Sequence, residues 1–519
     1  MLRPKRQSSN TVTVTAPVGG WNAASSLAMM GPTEAVIMDN WFCLPTEIMA
    51  RKGFTPWATG VTGTIESFIN YDATDNSHKS FAVANNAGAC AIYDVTASGA
   101  VGSAVLTGLS NARWHYAQVS NSGGTFTLAA NGHDNVLIYD GTSWQAVTGT
   151  STPFAITGVD TTHLADVIVH KRRAWFVERN SLKGWYLDTD AVAGTAHSFD
   201  FGPLFKMGGH LVKLETYTLD AGNGMDDYFV AITSAGEVAI YTGTNPASST
   251  DWSLSGVYYV GSPVGNQSCT CKYGGDVLLL NKDGLIPLSQ ALMSSRVSTR
   301  MTISTKIQNQ ITLDTSNYAS NYGWQVILYP PENILMVNVP VSSSLSYQYV
   351  MNTITGAWSR WTGLNGLCWT FINEQLFFGL NGKVFKAWDG HNDNGSAINT
   401  DLLPAFSAFG SQSQIKRFTM ARIFMGADNQ FSYAGQINVD FDKLSTPGVQ
   451  QASPMSSAGV WDAAVWDTGA WGGDIYSFAR WLQGGQIGHY GTFRLKTSSN
   501  NSDVRYYSTD YVFEPGGVL

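Results

Sequence analysis

Short apolar runs alternate with glycine, asparagine and aspartate turns along most of this chain. From about residue 63 to 390, runs of four to six residues recur, and several units close with an aromatic or apolar residue followed by Asp or Asn. Most gaps between these closing points lie near the ~40–50 residues of a four-stranded propeller blade. The pattern predicts an all-β region whose units are marked at positions 94, 140, 188, 242, 286, 352 and 389.

A single four-stranded unit cannot bury both of its faces, whereas units stacked radially into a closed ring leave few exposed strand edges. We therefore expect a β-propeller of about six to eight blades over residues 63–390. The aromatic residue before each turn should wedge between blades, and the Asp or Asn should cap the turn. Two β-sandwiches in series are the alternative, because short strands with turn signals suit them equally.

One segment departs from the strand period and predicts a helical insertion at about 290–323. It lies in the widest gap between marks, and we expect a helix in such a fold to contact another copy or another protein. We expect one helix from Gln290 to about Ile311, and its deletion should leave a folded β protein that fails to assemble. The apolar positions recur at four-residue intervals, nearer a helix repeat than a strand repeat: Met293, Val297 and Met301, then Ile303, Ile307 and Ile311.

The two ends of the chain lack the repeat. Residues 1–62 are punctuated by Gly pairs and Pro, which predicts an extended N-terminal arm that packs on its own domain or on a neighbour. Residues 391–519 carry widely spaced strand candidates and predict a smaller β-sandwich-like domain. Tryptophans spaced by five in this last part suggest a turn-rich loop with exposed indoles: Trp461, Trp466 and Trp471.

Charge is scarce in this chain of 519 residues. Charged residues make up 13% of it, about half the usual share of ~25%. Such a surface loses little when it is buried against neighbours, which favours a subunit of a large assembly. The net charge of −8 argues against tight binding of nucleic-acid phosphates, although DNA could pass along such a surface without being held.

The cysteines do not form a disulfide framework, because their number is odd and the chain is long. We expect buried free thiols. Cys269 and Cys271 alternate on a predicted strand and should share a face, but a zinc site would need two more ligands nearby. No apolar stretch reaches the ~18 residues of a membrane span, and the basic N-terminus lacks the apolar core of a signal peptide. The five cysteines are Cys43, Cys90, Cys269, Cys271 and Cys368.

Candidate chemistry is sparse. None of the nine histidines has metal-ligand spacing, and His163 and His170 should lie on opposite faces of a strand. The basic run at 171–173 (Lys-Arg-Arg) is expected to be a hairpin turn rather than a phosphate contact. The Asp-rich loops at 220–227 and 389–395 lack the spacing of a calcium loop.

Enzyme motifs are also absent. The stretch 140–144 (Asp-Gly-Thr-Ser-Trp) misses the spacing of a sialidase box by one residue, and neither a nucleophile elbow nor a phosphate-binding loop occurs. We therefore expect no enzyme and no catalytic, cofactor-binding or metal-binding residues, and nucleic-acid contacts cannot be assigned to positions.

Ordered landmarks run from about residue 15 to 390. Each is short, and their order matters more than any single one. Together the chain resembles the nozzle proteins (tail tubular protein B-like) of short-tailed bacteriophages. The landmarks are Gly-Gly-Trp-Asn at 19–22, Pro-Thr-Glu-Ala-Val at 32–36, Asp-Asn-Trp at 39–41, Arg-Lys-Gly at 51–53, Asn-Ala-Arg-Trp at 111–114, Asn-Gly at 131–132, Tyr-Asp-Gly at 139–141, Asp-Gly-Leu-Ile-Pro-Leu-Ser at 283–289, Trp324 and Tyr-Pro at 329–330.

The resemblance implies a structural virion protein made in the host cytoplasm. It implies a ring of six propeller subunits below the portal and its adaptor, contacting tail fibres or spikes. The ring would form the distal channel that retains the double-stranded DNA genome and conducts it during ejection, without sequence-specific binding. It implies neither catalysis nor a cofactor, and it assigns no individual residue as a site.

Two other functions remain open from the sequence. A carbohydrate-binding or receptor-binding tail protein could use Trp461, Trp466 and Trp471 as a sugar platform. A glycan hydrolase is the third possibility, because propellers often host glycosidases, but no carboxylate pair can be singled out for it.

Overall fold

The computed structural model describes residues 9–220, 225–293, 302–448, 451–453 and 475–518. Before the repeats, the N-terminal region contributes six short strands. The sixth begins directly after Gly53. These strands are β1 (Asn10–Thr15), β2 (Gly20–Trp21), β3 (Glu34–Asp39), β4 (Trp41–Cys43), β5 (Ile48–Ala50) and β6 (Phe54–Thr59).

Four antiparallel sheets of four strands follow, each formed by a continuous stretch of chain. The short apolar runs seen in the sequence form these strands, and glycines or asparagines turn the chain between them. Three further two-residue strands lie outside the four sheets: β10 pairs with β6, and β16 pairs with β20. Blade 1 contains β7 (Thr64–Asp72), β8 (His78–Asn86), β9 (Ala89–Asp94) and β11 (Leu106–Leu109), after β10 (Gly99–Ala100); blade 2 contains β12 (His115–Asn121), β13 (Gly124–Ala130), β14 (Leu137–Tyr139) and β15 (Trp144–Ala146); blade 3 contains β17 (Leu164–His170), β18 (Arg173–Glu178), β19 (Lys183–Tyr186) and β21 (His197–Asp200), with β16 (Ile156–Thr157) and β20 (Gly194–Thr195) beside it; blade 4 contains β22 (Leu211–Asp220), β23 (Met225–Thr233), β24 (Glu237–Thr242) and β25 (Ser253–Tyr259).

Three more blades complete the repeat. Blade 5 has three strands of its own, and a pair of helices follows it. The elements are β26 (Thr270–Tyr273), β27 (Asp276–Asn281) and β28 (Gly284–Pro287) in blade 5; α1 (Leu288–Met293) and α2 (Gln308–Tyr318); β29 (Gln325–Tyr329), β30 (Ile334–Pro340), β31 (Ser346–Asn352) and β32 (Trp358–Thr362) in blade 6; β33 (Cys368–Ile372), β34 (Gln375–Leu380) and β35 (Lys383–Ala387) in blade 7; and 3-10 turns at Thr161–His163, Gly202–Leu204, Asn266–Ser268, Thr305–Ile307 and Pro330–Glu332.

Blade 7 takes its fourth strand from the other end of the chain. Strand β6 pairs antiparallel with β35, placing Ala58 opposite Val384 and Phe54 opposite Ala387. The inner strands of the blades contact one another around the ring, and β33 of blade 7 contacts β7 of blade 1. The molecule therefore contains a closed seven-bladed β-propeller, which confirms the predicted fold and lies within the expected blade count.

The seven sequence marks all fall at or just beyond the third strand of a blade. At the second mark, Tyr139 lies edge-on to Tyr71 and Phe81, with ring centroids 5.1 and 4.9 Å away, so its ring wedges between blades 1 and 2. The neighbouring Asp140 Oδ1 accepts hydrogen bonds from the backbone N–H groups of Thr142 and Ser143 at 2.8 and 2.7 Å. Both predicted roles, the aromatic wedge and the capped turn, are confirmed at this blade.

A two-layered β-structure follows the propeller. One layer contains, in this order, β4, β5, β43, β37 and β40; in addition, β1 pairs with β43 and β41 pairs with β37. The other continues from blade 6 through β3, β36, β42, β38 and β39. Apolar side chains from both layers, such as Ile423 and Leu495, pack in one shared core. The strands are β36 (Ile398–Pro404), β37 (Gln414–Ala427), β38 (Ser432–Val439), β39 (Gln451–Ala452), β40 (Tyr476–Gln483), β41 (Ile487–Gly488), β42 (Gly491–Ser499) and β43 (Val504–Val518).

The N-terminal region is divided between these two bodies. Strand β1 pairs with β43, β3 pairs with β36, and β6 closes the propeller. Its tryptophans pack within the same chain, as predicted for such an arm: Trp21 and Trp41 are buried, and the Trp57 indole N–H donates to the carbonyl of Val95 at 2.9 Å.

The inserted helix is present as α2, but the prediction of one helix from Gln290 to Ile311 is wrong. The described part between α1 and α2 is a turn followed by a 3-10 turn. Here Ile303 N donates to Leu285 O at 3.1 Å, and Leu285 N donates to Ser304 Oγ at 2.9 Å. This segment thus supplies hydrogen-bond partners to the outer edge of β28, at the position where the other blades carry a fourth strand.

None of the helices in the described ranges is long and apolar enough to cross a membrane.

Candidate functional site

The propeller encloses a cavity of about 590 Å³ at the end of the ring where the inner strands begin. This volume lies in the range of small-molecule pockets, ~300–1,000 Å³. Its wall combines amides, hydroxyls and aromatic rings with four charged side chains. Those four are Glu66, Arg113, Arg179 and Lys272.

In the wall of this cavity, side chains on the inner strands join one blade to the next. Asn70 Nδ2 donates to Thr370 Oγ1 at 2.9 Å and thereby joins blades 1 and 7. Gln325 Nε2 donates to the carbonyl of Trp369 at 3.1 Å, between blades 6 and 7. The propeller axis therefore holds a small cavity whose wall is formed by directly bonded inner strands. A DNA duplex, whose major groove alone is ~12 Å wide, does not fit such a cavity.

A buried ion pair joins blades 3 and 4. Lys213 Nζ lies 3.0 Å from Asp166 Oδ2, and Asp166 is fully buried. Burial alone would lower the pKa of Lys213, but the negative charges of Asp166 and Glu215 outweigh it and raise that pKa above its usual value. The ammonium is thereby held charged. Because removing one partner would leave a buried charge uncompensated, the pair locks these two blades together.

A buried arginine network lies where the propeller meets the C-terminal strands; we call it the Arg51 joint. The side chain of Arg51 is 1% exposed, and all five of its N–H donors have acceptors. They bind Asn40 Oδ1 at 2.9 Å, the Lys52 carbonyl at 3.0 Å, the Thr362 carbonyl at 2.6 Å and the two oxygens of Asp393 at 2.8 and 2.6 Å.

Several other landmarks occupy equally constrained positions around this joint. Gly20 has a φ of +82°, and a Cβ there would lie 2.7 Å from the backbone of Trp358. At Gly53 a Cβ would lie 1.8 Å from the carbonyl oxygen of Asn392. Asp39 binds Arg360 through two hydrogen bonds of 2.8 and 2.6 Å. These residue types are required by packing and backbone geometry.

The basic run forms the predicted hairpin turn. Lys171 and Arg172 adopt left-handed φ angles of 48° and 63° between β17 and β18, and His170 pairs with Arg173. Lys171 Nζ lies 3.2 Å from Asp227, and Arg172 Nε donates to Asp190 at 2.8 Å. Carboxylates of the same chain therefore already neutralise these side chains.

All five cysteines are free thiols, and four are buried. The expectation that Cys269 and Cys271 share a face is wrong, because Cys269 follows a 3-10 turn as its C-cap, before β26 begins. Cys269 packs in the core between blades 4 and 5, whereas Cys271 packs against a different core. Burial raises the pKa of Cys269 to about 12 and that of Cys271 to about 11, so both remain protonated thiols at neutral pH.

The remaining candidates do not assemble into a site. Among the described residues, no three His, Cys, Asp or Glu side chains are grouped to hold a metal ion. In the loop at 389–395, Asp389 accepts from Thr55 Oγ1 at 2.6 Å and Asp393 binds Arg51. His163 lies in a 3-10 turn, and His170 ends β17. The tryptophan loop with Trp461, Trp466 and Trp471, and part of the loop at 220–227, lie outside the described residues.

Sequence reasoning missed the cavity and the roles of Arg113 and Arg179 in it. These residues lie 66 positions apart on different blades, so only ring closure brings them to one cavity. The one sequence signal for the cavity lay in the landmark at 111–114, where Arg113 stands between the buried residues Ala112 and Trp114.

No protein-family model matches the chain, and no curated protein is similar to it. Among solved structures it is similar to YCF48 bound to D1 peptide, with 10% identity over 67% of this chain and 94% of that chain and a TM-score of 0.34. It is also similar to the β-propeller domain of Myceliophteria thermophila Cps50 (Swd1), with 11% identity, 64% and 99% coverage and a TM-score of 0.40.

Proposed function

We propose that this protein is a non-catalytic structural subunit of a short-tailed phage tail, a nozzle that retains and conducts double-stranded DNA. The observation that carries the proposal is the placement of the landmark residues. Arg51 and Gly53 belong to the series that resembles the nozzle family, and they lie in the joint between the propeller and the C-terminal strands. Gly20, of the same series, packs against the backbone of Trp358. Residues with such architectural roles are what a family of structural proteins should share.

The narrow axis of the propeller determines where a DNA channel would have to lie. Because the cavity of about 590 Å³ cannot admit a duplex, the conduit must lie between copies of the chain rather than inside one propeller. A closed ring of six subunits provides such a lumen. The low charge of the chain suits both the contacts between copies and a lumen that does not grip phosphates.

The outer face of the C-terminal sheet is the surface we propose for contact with a second copy. Trp481 on β40 and Met420 on β37 are 48% and 41% exposed on this face. Between them the guanidinium of Arg422 lies 4.9 Å from the Trp481 ring and donates to Asp510 at 2.9 Å. An exposed tryptophan held by an arginine is typical of the centre of a protein interface.

Native mass spectrometry and electron microscopy of the purified chain test the proposal. We expect a closed ring of six copies with a central lumen, which Trp481→Asp converts to monomers. The matched control is Ile354→Asp, which changes an apolar residue with 67% exposure on the propeller and should leave the ring intact. A monodisperse monomer of the unaltered chain would overturn the proposal.

The adaptor below the portal, and tail fibres or spikes, are the further partners this proposal implies. A carbohydrate-binding or receptor-binding tail protein is the alternative, and it predicts a glycan-binding monomer instead of a ring.

A further inference from the structure

A second cavity of about 570 Å³ adjoins the propeller cavity. The two cavities share a wall of five residues. Counting both linings, three cationic side chains accompany a single carboxylate, in a protein with a net charge of −8. The shared wall consists of Glu66, Arg113, Asn321, Tyr322 and Leu367.

Arg113 is held in place at this shared wall. Its Nε donates to Glu66 Oε2 at 2.9 Å, and its guanidinium lies 4.0 Å from the centre of the Tyr322 ring. The Tyr322 hydroxyl in turn donates to the backbone carbonyl of Glu66. Within the described part of the chain, the two terminal nitrogens of Arg113 have no hydrogen-bond partner. They therefore present a positioned fork of donors, the geometry that matches a carboxylate.

Two further cations line the propeller cavity. Arg179 Nη1 donates to His133 Nδ1 at 3.0 Å, which requires that nitrogen to be unprotonated. Burial lowers the pKa of His133, and the charge of Arg179 lowers it further, so the ring is neutral at pH 7. Neither Arg179 nor Lys272 has a carboxylate within 4.0 Å among residues 9–220, 225–293, 302–448, 451–453 and 475–518. The cavity thus favours an anionic ligand.

The rest of the lining suits hydroxyl groups. Amide and hydroxyl side chains line the propeller cavity at 266–268 (Asn-Gln-Ser), and three consecutive serines line its neighbour at 342–344. No side-chain hydrogen bond engages Asn266, Gln267 or Ser343 in the described ranges. A few well-placed polar groups beside apolar and aromatic walls are what orient a small ligand.

We propose that the paired cavities bind an acidic saccharide, with its carboxylate on the terminal nitrogens of Arg113 and its hydroxyl groups on the amides and serines. An inorganic anion would use only the arginines, and a neutral sugar would use only the amides and hydroxyls. Each cavity, of about 590 or 570 Å³, has a volume within the ~300–1,000 Å³ of small-molecule pockets, which suits a sugar of one or two residues. The site is complete within one copy, so this inference does not rest on the ring.

Isothermal titration of the full-length protein tests the proposal with a glucuronate-containing disaccharide, its uncharged methyl ester and sodium sulfate. We expect the acidic disaccharide to bind about tenfold more tightly than either of the others, because it alone engages both parts of the site. Arg113→Gln should weaken its binding about tenfold. Arg179→Gln, which leaves the Glu66 contact intact, should also weaken it.

Arg172→Gln is the control, because this exposed arginine lies on a hairpin turn outside both cavities and should leave binding unchanged. Equal binding of the acid and its ester, sulfate binding as tight as the disaccharide, or no binding by the unaltered protein would each overturn the proposal. Sugar binding by a protein that remains monomeric would keep this inference and contradict the ring, so the two proposals fail separately.

Discussion

Two arginines of this chain make similar ion pairs in very different surroundings. Arg51 is 1% exposed and binds four residues, whereas the side chain of Arg172 is 75% exposed and binds Asp190. In water the charges of an exposed pair are screened and the side chains lose entropy on pairing, so the pair contributes little. In the Arg51 joint, loss of the guanidinium would leave Asp393 and two backbone carbonyls without their donor.

Arg51→Ala should therefore lower the free energy of unfolding by about 3–5 kcal/mol. Arg172→Ala, the matched control, should change it by less than about 1 kcal/mol. Thermal unfolding followed by circular dichroism measures the difference. Similar melting temperatures for the two variants would contradict the role of the joint.

His170 should make the protein sensitive to acid. Its pKa is lowered to about 4, first by burial and then by the charges of Lys171 and Lys272, with Asp227 opposing. An unfolded histidine titrates near ~6.5. Between these values the unfolded chain binds a proton that the folded chain does not, so the free energy of unfolding falls as the pH drops through this window, by up to about 3 kcal/mol.

The measurement is the fall in melting temperature between pH 7 and pH 4.5, compared between the unaltered protein and two histidine variants. His170→Gln should reduce that fall, whatever it does to stability at pH 7. His197→Gln, at an exposed histidine, should leave it unchanged. An unaltered fall in the His170 variant would show that another group causes the acid sensitivity.

At the scale of elements, the helical insertion acts within the chain. Ile307 and Ile311 are buried in the core that the C-terminal strands share with blade 6, and Ser304 caps the edge of β28. Deleting Gln290 to Ile311 should therefore unfold part of the protein, in contrast to the folded, unassembled product expected from the sequence. That α2 contacts another copy stays a prediction. Leu313, an exposed apolar residue of α2, is the residue that would make this contact.

A pair of substitutions on one helix separates these roles. Ile311→Ala should lower the free energy of unfolding by about 2–5 kcal/mol, because it opens a cavity in the core. Leu313→Ala, at a residue that is 53% exposed, should change it by less than about 0.5 kcal/mol. Melting temperatures measure both, and equal effects would show that the helix is not anchored through Ile311.

The sequence predicted the parts of the fold that local chemistry determines. The seven marks found the third strands because an aromatic or apolar residue, in several blades followed by Asp or Asn, recurs where the third strand ends. The partner of β35 could not be found in this way, because β6 lies more than 300 residues away in sequence and its pairing leaves no local signal. The single long helix was predicted because isoleucines at 303, 307 and 311, which all pack on one core, keep a four-residue period through a turn that satisfies a strand edge.

At the scale of the whole molecule, the two ends of the chain hold the architecture together. Strand β6 closes the propeller, and strands β1 and β3 pair with the last part of the chain. The propeller and the C-terminal strands share one sheet and one core, so they should move as one body. A rigid body with a closed axis can form a wide channel only by arranging several copies around a common centre.

Cryo-electron microscopy of the purified protein tests this central claim most directly, because it shows both the number of copies and the position of the lumen. The account predicts a six-membered ring with a lumen between copies wide enough for a DNA duplex, and a closed axis in every propeller. Single propellers that remain separate at high protein concentration, or rings whose lumen is too narrow for a duplex, would contradict it.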